Sequence, residues 1–402
     1  MLRFEDVVQA RERIAGQLVL TPCTPSEAFG EEFGGHAWFK FENLQRTGSF
    51  KERGALNRML LLTEDERRRG VVAASAGNHA QGVAFHARRL GVPATIVMPV
   101  RTPLVKVSNT RRYGARVILH GSVYDEAMQR ALELRDAEGL TLIHPFDDVQ
   151  VMAGQGTIGL ELLEQCPEMD VLVCAVGGGG IIGGIACAIK SVRPEVRVVG
   201  VESATLPAAY RALEAGHVVT IPPGQTIADG IAVRRIGENS FAALQRWVDE
   251  VVLVPEEEIA DAVLMLLERE KTVAEAAAAT TVAAVLGGHV KDVAGKNVVM
   301  VLSGGNIDVG VLSRIIDRGL AKDGRLAFLR VVTDDRPGAL AQLTAAIAEL
   351  GANVLQLSQR RSIGGLWLTE AEVDLTLETR GREHVDELTA HLRELGYRVA
   401  LE

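Results

Sequence analysis

Val171-Leu172-Val173-Cys174-Ala175-Val176-Gly177-Gly178-Gly179-Gly180-Ile181-Ile182-Gly183-Gly184 is an apolar run of strand length that breaks on four glycines and resumes as an Ile/Ala-rich stretch. A strand, a glycine turn and a helix in direct succession mark the carboxyl end of a strand in an open α/β sheet, where ligands gather. Four consecutive glycines let several backbone amides converge on a phosphate with no Cβ in the way. The pattern recurs upstream, where Val71 to Ala74 runs into Ser75-Ala76-Gly77-Asn78-His79-Ala80-Gln81-Gly82. It recurs downstream, where the apolar run from Val298 ends in Leu302-Ser303-Gly304-Gly305-Asn306. Further strand-like runs lie at Thr95 to Met98, Val117 to Leu119 and Val196 to Val201, with helical periodicity in segments such as Asp125 to Glu138 and Ile259 to Arg269. Near-continuous apolar strands alternating with helices predict parallel sheet covered on both faces.

The surrounding chain narrows the class. Its 402 residues call for two or three domains, and 47% hydrophobic with 24% charged residues gives enough material for large cores. A formal net charge of −9 without a Lys/Arg cluster argues against nucleic acid and anionic membrane as partners. The densest basic run, Arg67-Arg68-Arg69, follows Glu64, Asp65 and Glu66 and reads as a solvated helix face. The charged start, Met1-Leu2-Arg3-Phe4-Glu5-Asp6, has no apolar core of a secretory signal, and no stretch has the length of a bilayer span. Cys23, Cys166, Cys174 and Cys187 show no C-x-x-C spacing, so free thiols in a reducing cytoplasm are expected rather than disulfides or zinc.

The tail changes character. A polar connector near 316–325 precedes a strand from Leu326, the turn Asp335-Arg336-Pro337-Gly338, and a helix from Ala339 to Leu350. Strand-like runs Asn353 to Gln359 and Leu366 to Leu377 flank Gly364-Gly365. A helix, His384 to Leu395, and a strand, Arg398 to Leu401, follow. That order is βαββαβ, a ferredoxin-like unit over 326–402.

One more segment carries chemistry: Phe39-Lys40-Phe41-Glu42-Asn43-Leu44-Gln45-Arg46-Thr47-Gly48-Ser49-Phe50-Lys51-Glu52-Arg53-Gly54-Ala55. Taken alone, Lys51 is an ordinary surface lysine at a helix start. The Ser75 to His79 turn exposes helix N-terminal amides that suit a carboxylate, or is plain capping by Ser75 or Asn78. The tetraglycine is no Walker loop, and a glycine cluster is weak evidence for a dinucleotide.

In this order the four turns resemble the fold-type II pyridoxal-phosphate family, which includes threonine and serine dehydratases. The resemblance covers about 20 to 315. It implies two open twisted sheets with helices on both faces over 1–315, with a smaller subdomain at about 45–150. It implies that Lys51 carries pyridoxal 5′-phosphate as a Schiff base and acts as the base. Gly177, Gly178, Gly179 and Gly180, with the amide of Ile181, hold the phosphate. Phe50 packs on the ring, Asn78 bonds its 3′ oxygen and Ser303 faces its nitrogen. Ser75, Ala76, Gly77, Asn78 and His79 receive the substrate carboxylate. The reaction implied is β-elimination from L-threonine, with the released aminocrotonate hydrolysing to 2-oxobutanoate and ammonia.

Departures from the family pattern refine this. Racemases of the family place a second acid/base, a serine, where this chain has Ala76, so elimination is expected over racemisation. Glu202 matches one ligand of a divalent cation in some relatives, but the partner aspartate position falls near Ala208, so no metal is expected. Ala276 and Ala278 stand where glycines follow the glutamate of Val273-Ala274-Glu275, and they are expected to tighten the space near the ring. His144-Pro145-Phe146-Asp147-Asp148 is either beside the substrate side chain or simply an ordered loop. The tail resembles an ACT domain, with Asp335, Arg336, Pro337, Gly338 and Asn353 as effector residues. Isoleucine or valine is the expected effector, which would make a place in isoleucine biosynthesis, and a homodimer or homotetramer is the expected assembly. A dimerisation module without a ligand is the other reading. L-Serine or threo-3-hydroxyaspartate is the alternative substrate, and a non-catalytic amino-acid sensor the alternative of another class.

Overall fold

The computed structural model describes residues 1–361 and 367–401, which fall into two compact units, Met1–Ile307 and Asp308–Glu402. The first unit carries strands β1 (Cys23–Ser26), β2 (His36–Phe41), β3 (Val71–Ala74), β4 (Ala94–Met98), β5 (Arg116–Leu119), β6 (Thr141–Leu142), β7 (Val171–Ala175), β8 (Arg197–Ser203), β9 (Glu250–Val254) and β10 (Asn297–Leu302). They form a six-stranded sheet in the order β1-β2-β10-β7-β8-β9 and a four-stranded sheet in the order β5-β4-β3-β6. The smaller sheet is parallel throughout. The larger one is parallel except at β1, which pairs antiparallel with β2. The apolar runs expected to form parallel strands all do so, and the antiparallel β1 lies outside them. Cys23-Thr24-Pro25-Ser26 lacks the apolar run of a buried strand, and its proline is tolerated because β1 is an edge.

Chain order and sheet order differ, and the difference positions the site. β7 and β10 are neighbours, so the loops after Ala175 and after Leu302 emerge side by side. β3 lies in the other sheet, and its loop opens the helix Asn78–Leu90. The lysine turn is pinned to the β10 loop by backbone bonds: Phe50 N donates to Ser303 O at 3.0 Å and Gly305 N to Gly48 O at 2.9 Å.

Beneath the helix Lys51–Leu60 lies a buried ionic cluster. Arg53, 1% exposed, donates to Glu42 through Nε (2.8 Å) and Nη2 (2.7 Å) and to Glu161 through Nη1 (2.6 Å) and Nη2 (2.9 Å). Lys40 Nζ adds bonds to Glu161 (2.5 Å), Gln165 (2.8 Å) and the Thr21 carbonyl (2.8 Å). Burial alone would push the Glu42 carboxyl up, but Arg53, Lys40 and Thr21 together hold it below the usual range.

The second unit opens with a helix, Val309–Lys322, whose N-terminus is capped by Asp308. Most of the connector expected at 316–325 is therefore helical; its exposed charged residues gave the impression of a linker. β11 (Leu326–Asp334), β12 (Asn353–Arg360), β13 (Glu370–Glu378) and β14 (Arg398–Leu401) form an antiparallel sheet in the order β12-β13-β11-β14. Alternate residues of β11 and β13 are buried against the helices Ala339–Glu349 and Arg382–Glu394, with Leu329, Val331, Leu343, Ile347, Val373, Leu375, Leu388 and Leu392 in the core. β13 begins four residues later than the run read from Leu366. Leu366 itself and the Gly364-Gly365 turn lie outside the described residues.

Candidate active site

The loops after β3, β7 and β10 and the lysine turn enclose a cavity of about 270 Å³. Phe50, Lys51, Ser75 to His79, Gly177 to Ile181 and Ser303 all line it, so the cofactor and substrate residues expected from sequence are brought together. Lys51 Nζ donates to the Pro145 carbonyl at 2.8 Å and lies 5.0 Å from the centroid of the Phe50 ring. Burial lowers the amine to about 8, with the Glu275 carboxylate opposing the shift. An amine so tuned has a substantial neutral, nucleophilic fraction near neutral pH.

The tetraglycine is a cradle with no room for side chains. Gly179 is the N-cap of the helix Gly180–Val192 with φ of +86°, and a Cβ there would come 2.8 Å from Ser240 Cβ. A Cβ on Gly178 would fall 2.1 Å from Phe146 Cγ. The Ser240 hydroxyl is buried without a partner. A helix N-terminus stripped of side chains presents free amides to an anion.

Asn78 is held from both sides. Its Nδ2 donates to both Glu275 oxygens at 2.9 Å, and its Oδ1 accepts from Asn306 Nδ2 at 3.1 Å. Glu275 N in turn donates to Gly304 O at 3.0 Å. Burial raises Glu275 to about 7, against the Asn78 hydrogen bond. Glu275 is a site residue missing from the sequence-derived set. In the segment that holds it, Ala277, rather than the expected Ala276 or Ala278, lines the cavity.

His79 is buried, with Nε2 2.8 Å from the Ile143 carbonyl oxygen. Burial and the nearby Lys51 lower it to about 3, so the ring is neutral. Nε2 must then donate, which leaves Nδ1 an acceptor without a partner. The side chain therefore anchors the helix, and the donors this turn can offer a carboxylate are backbone amides and Ser75. The 144–148 segment has a structural task as well as a place in the wall. His144 Nδ1 accepts from Phe146 N (3.3 Å) and Asp147 N (2.8 Å), which sets Phe146 against the glycines and aims the Pro145 carbonyl at Lys51.

Other expectations fall outside the cavity. Glu202 accepts from the amides of Ala209 and Tyr210, each at 2.8 Å, at the start of the helix Ala208–Ala215. Among the described residues no cluster of His, Cys, Asp or Glu is arranged to hold a metal ion. No helix among them is long and apolar enough to cross a membrane. The cysteines are free thiols, three of them buried. In the second unit, Asp335 to Gly338 follow the β11 end that pairs with Glu370, whereas Asn353 pairs with Glu378 at the opposite end. Eight residue steps of strand, roughly 27 Å, separate the two groups within one chain.

The sequence matches the family described as pyridoxal-phosphate dependent enzyme over residues 14–304 and the ACT domain over residues 327–396. The chain belongs to the pyridoxal-phosphate dependent enzymes and carries a C-terminal ACT domain. It is similar along its whole length to an L-threonine ammonia-lyase of Thermotoga maritima, 48% identical over 401 residues, with 100% of each chain covered. Among solved structures, the processed form of threonine deaminase isoform 2 from Solanum lycopersicum superposes with a TM-score of 0.75 at 36% identity, over 78% of this chain and 87% of that one. Serine racemase from Dictyostelium discoideum superposes with a TM-score of 0.72 at 37% identity, over 76% and 99%. The cradle and the lysine fit this cofactor: a glycine-lined helix end for the phosphate and an amine of lowered pKa for the aldehyde.

Proposed function

We propose that this chain, as a pyridoxal-phosphate dependent lyase, removes the α-proton and β-hydroxyl of L-threonine as water, and that the released enamine takes water back on hydrolysis to give 2-oxobutanoate and ammonia. The observation that carries the reading is the placement of Lys51, a low-pKa amine, across one cavity from the glycine-capped helix end. Gly177 to Gly180 and the Ile181 amide would hold the phosphate, Phe50 would cover the ring, and Ser303 would offer a neutral hydroxyl to its nitrogen. Asn78, oriented by Glu275 and Asn306, would reach the 3′ oxygen. Bound pyridoxal phosphate supplies an electron sink for the pair left when the α-proton departs.

The protein's own groups do the rest. The amides and hydroxyl of the Ser75 to His79 turn bind the substrate carboxylate and fix the α-carbon. Lys51 Nζ takes the α-proton, and its lowered pKa keeps it competent as a base near neutrality. Ala76 lines the cavity with a methyl group, which can neither give nor take a proton. Reprotonation from a second side is therefore unsupported, and elimination is favoured over racemisation.

Isoleucine or valine is the effector class that the ACT domain would take. Because Asp335 to Gly338 and Asn353 sit at opposite ends of one sheet, a site using both needs two copies of the domain, in a homodimer or homotetramer. The test of the activity is 2-oxobutanoate production from L-threonine by the purified protein beside a Lys51→Ala variant. Turnover that disappears with Lys51 is expected; threonine left intact by the cofactor-loaded wild type would overturn the reading.

A further inference from the structure

The cavity wall carries a second lysine that the elimination does not use. Lys106, on the helix Leu104–Arg111, lines the cavity together with Asp229, on the 3₁₀ turn Asp229–Ile231. Its Nζ bonds Asp229 Oδ2 at 2.6 Å. The turn is seated at the site: a Cβ on Gly230 would lie 3.2 Å from Glu275 Oε1, and one on Gly177 would lie 3.1 Å from Ile231 Cα. Lys106 and Asp229 also act on Glu275 in opposite senses, so both are within electrostatic range of the reacting region. Tyr124, on the same wall, has a buried hydroxyl with no partner.

The charges lining the cavity are thus two lysines and two carboxylates. Lys51 is committed to the chemistry and Glu275 to Asn78. Lys106 is the one lining cation able to receive an anionic substrate side chain, and Asp229 already neutralises it.

We propose that the Lys106–Asp229 pair sets the side-chain charge preference of the site: it admits neutral β-hydroxy amino acids and disfavours those with a second carboxylate. A β-carboxylate entering the cavity meets the Asp229 charge and finds no free cation. Removing the Asp229 charge leaves Lys106 available to bind it. The inference rests on the elimination proposed above and names its substrate class.

The experiment compares the full-length cofactor-loaded enzyme with Asp229→Asn, Lys106→Met and the double variant. One readout is the ratio of kcat/KM for L-threo-3-hydroxyaspartate to that for L-threonine, followed as 2-oxo acid. A second is the binding, by calorimetry, of L-aspartate against L-2-aminobutyrate, which lack the leaving hydroxyl and are not eliminated. Asp229→Asn is expected to raise both ratios about three- to fivefold, the order of one partly exposed charge contact, and added salt is expected to shrink the gain. The double variant is expected to abolish it. Ratios unmoved by Asp229→Asn, or a gain that survives loss of Lys106, would overturn the inference. Wild-type enzyme inert towards threonine would instead sink the underlying reading, and the calorimetric ratios would still judge the charge pair.

Discussion

Arg53→Met is the sharpest test of what holds the lysine turn in place. Arg53 and Glu42 are 1% and 0% exposed, and the guanidinium fork satisfies Glu42 twice and Glu161 twice. Methionine fills similar volume but leaves Glu42 buried, with Thr21 and Gln45 as its remaining side-chain donors. Removing one partner of a buried ion pair costs about 3–5 kcal/mol, because the other charge stays desolvated. With a urea slope of about 3 kcal/mol/M, that moves the midpoint of the catalytic unit's transition down by about 1–1.7 M. Equilibrium urea unfolding followed by tryptophan fluorescence reads the shift. Arg53→Lys keeps a charge but loses the fork, and should fall between wild type and Arg53→Met. The double variant Arg53→Met/Glu42→Gln should recover part of the loss, a coupling visible only if the two groups interact. A midpoint shift under about 0.3 M for Arg53→Met would refute the reasoning, since the pair would then be worth no more than a surface contact. The pH dependence has a definite sign. Glu42 is held below its ordinary value near 4.5 in the folded chain, so its contribution is complete above that pH. It is lost as pH falls through the lower folded value.

Gly178→Ala should weaken pyridoxal-phosphate retention about tenfold or more, because the new Cβ would overlap the Phe146 ring, an overpacking worth roughly 1–3 kcal/mol. Dialysis against free cofactor measures it, and Phe146→Ala in the same chain should restore part of the affinity. In cofactor-stripped protein the rate of cofactor capture should rise with pH to a plateau, with its midpoint at about 8, as Lys51 becomes neutral. Glu275→Gln should move that midpoint to lower pH, because the carboxylate raises the lysine; stopped-flow absorbance would expose an opposite shift. His144→Ala should lower kcat/KM about tenfold by releasing the amides of Phe146 and Asp147, whereas His144→Asn keeps an acceptor and should stay within about threefold. Equal losses in both variants would show that the turn does not depend on that acceptor.

What could be read in the sequence was local. Each strand–turn–helix junction is contiguous, so the runs before Ser75, Gly177 and Ser303 announced both the parallel strands and the loops that line the cavity. The contacts that orient those loops are not contiguous. Asn78 meets Glu275 across 197 residues and Lys106 meets Asp229 across 123. Nothing in either segment alone distinguishes a partnered carboxylate from a solvated one. The Pro145 carbonyl at Lys51 was hidden for a different reason: a backbone acceptor carries no residue identity, and its aim depends on the His144 turn. The antiparallel β1 was hidden because an edge strand needs no apolar run. The helix Val309–Lys322 was hidden because its exposed face has the composition of a linker.

The arrangement around Asn78 shows how distant support fixes a local motif. An amide side chain can be turned end for end with little change in shape, yet here its two ends have opposite partners. Glu275 only accepts while ionised, so the amino group must face it, and the Asn306 amino group then requires the Asn78 oxygen on the other side. Glu275 is in turn tied through its own backbone to Gly304, and the lysine turn is tied to Ser303 and Gly305. One hydrogen-bonded network thus runs from Asn78 through Glu275 and the β10 loop to the backbone of Gly48 and Phe50 beside Lys51, linking the two sheets at the cavity. The orientation of Asn78 and the backbone placement of the lysine turn are consequently set by the same network. Glu275, raised to about 7, is the member whose charge both the Asn78 amino group and the Lys51 amine meet.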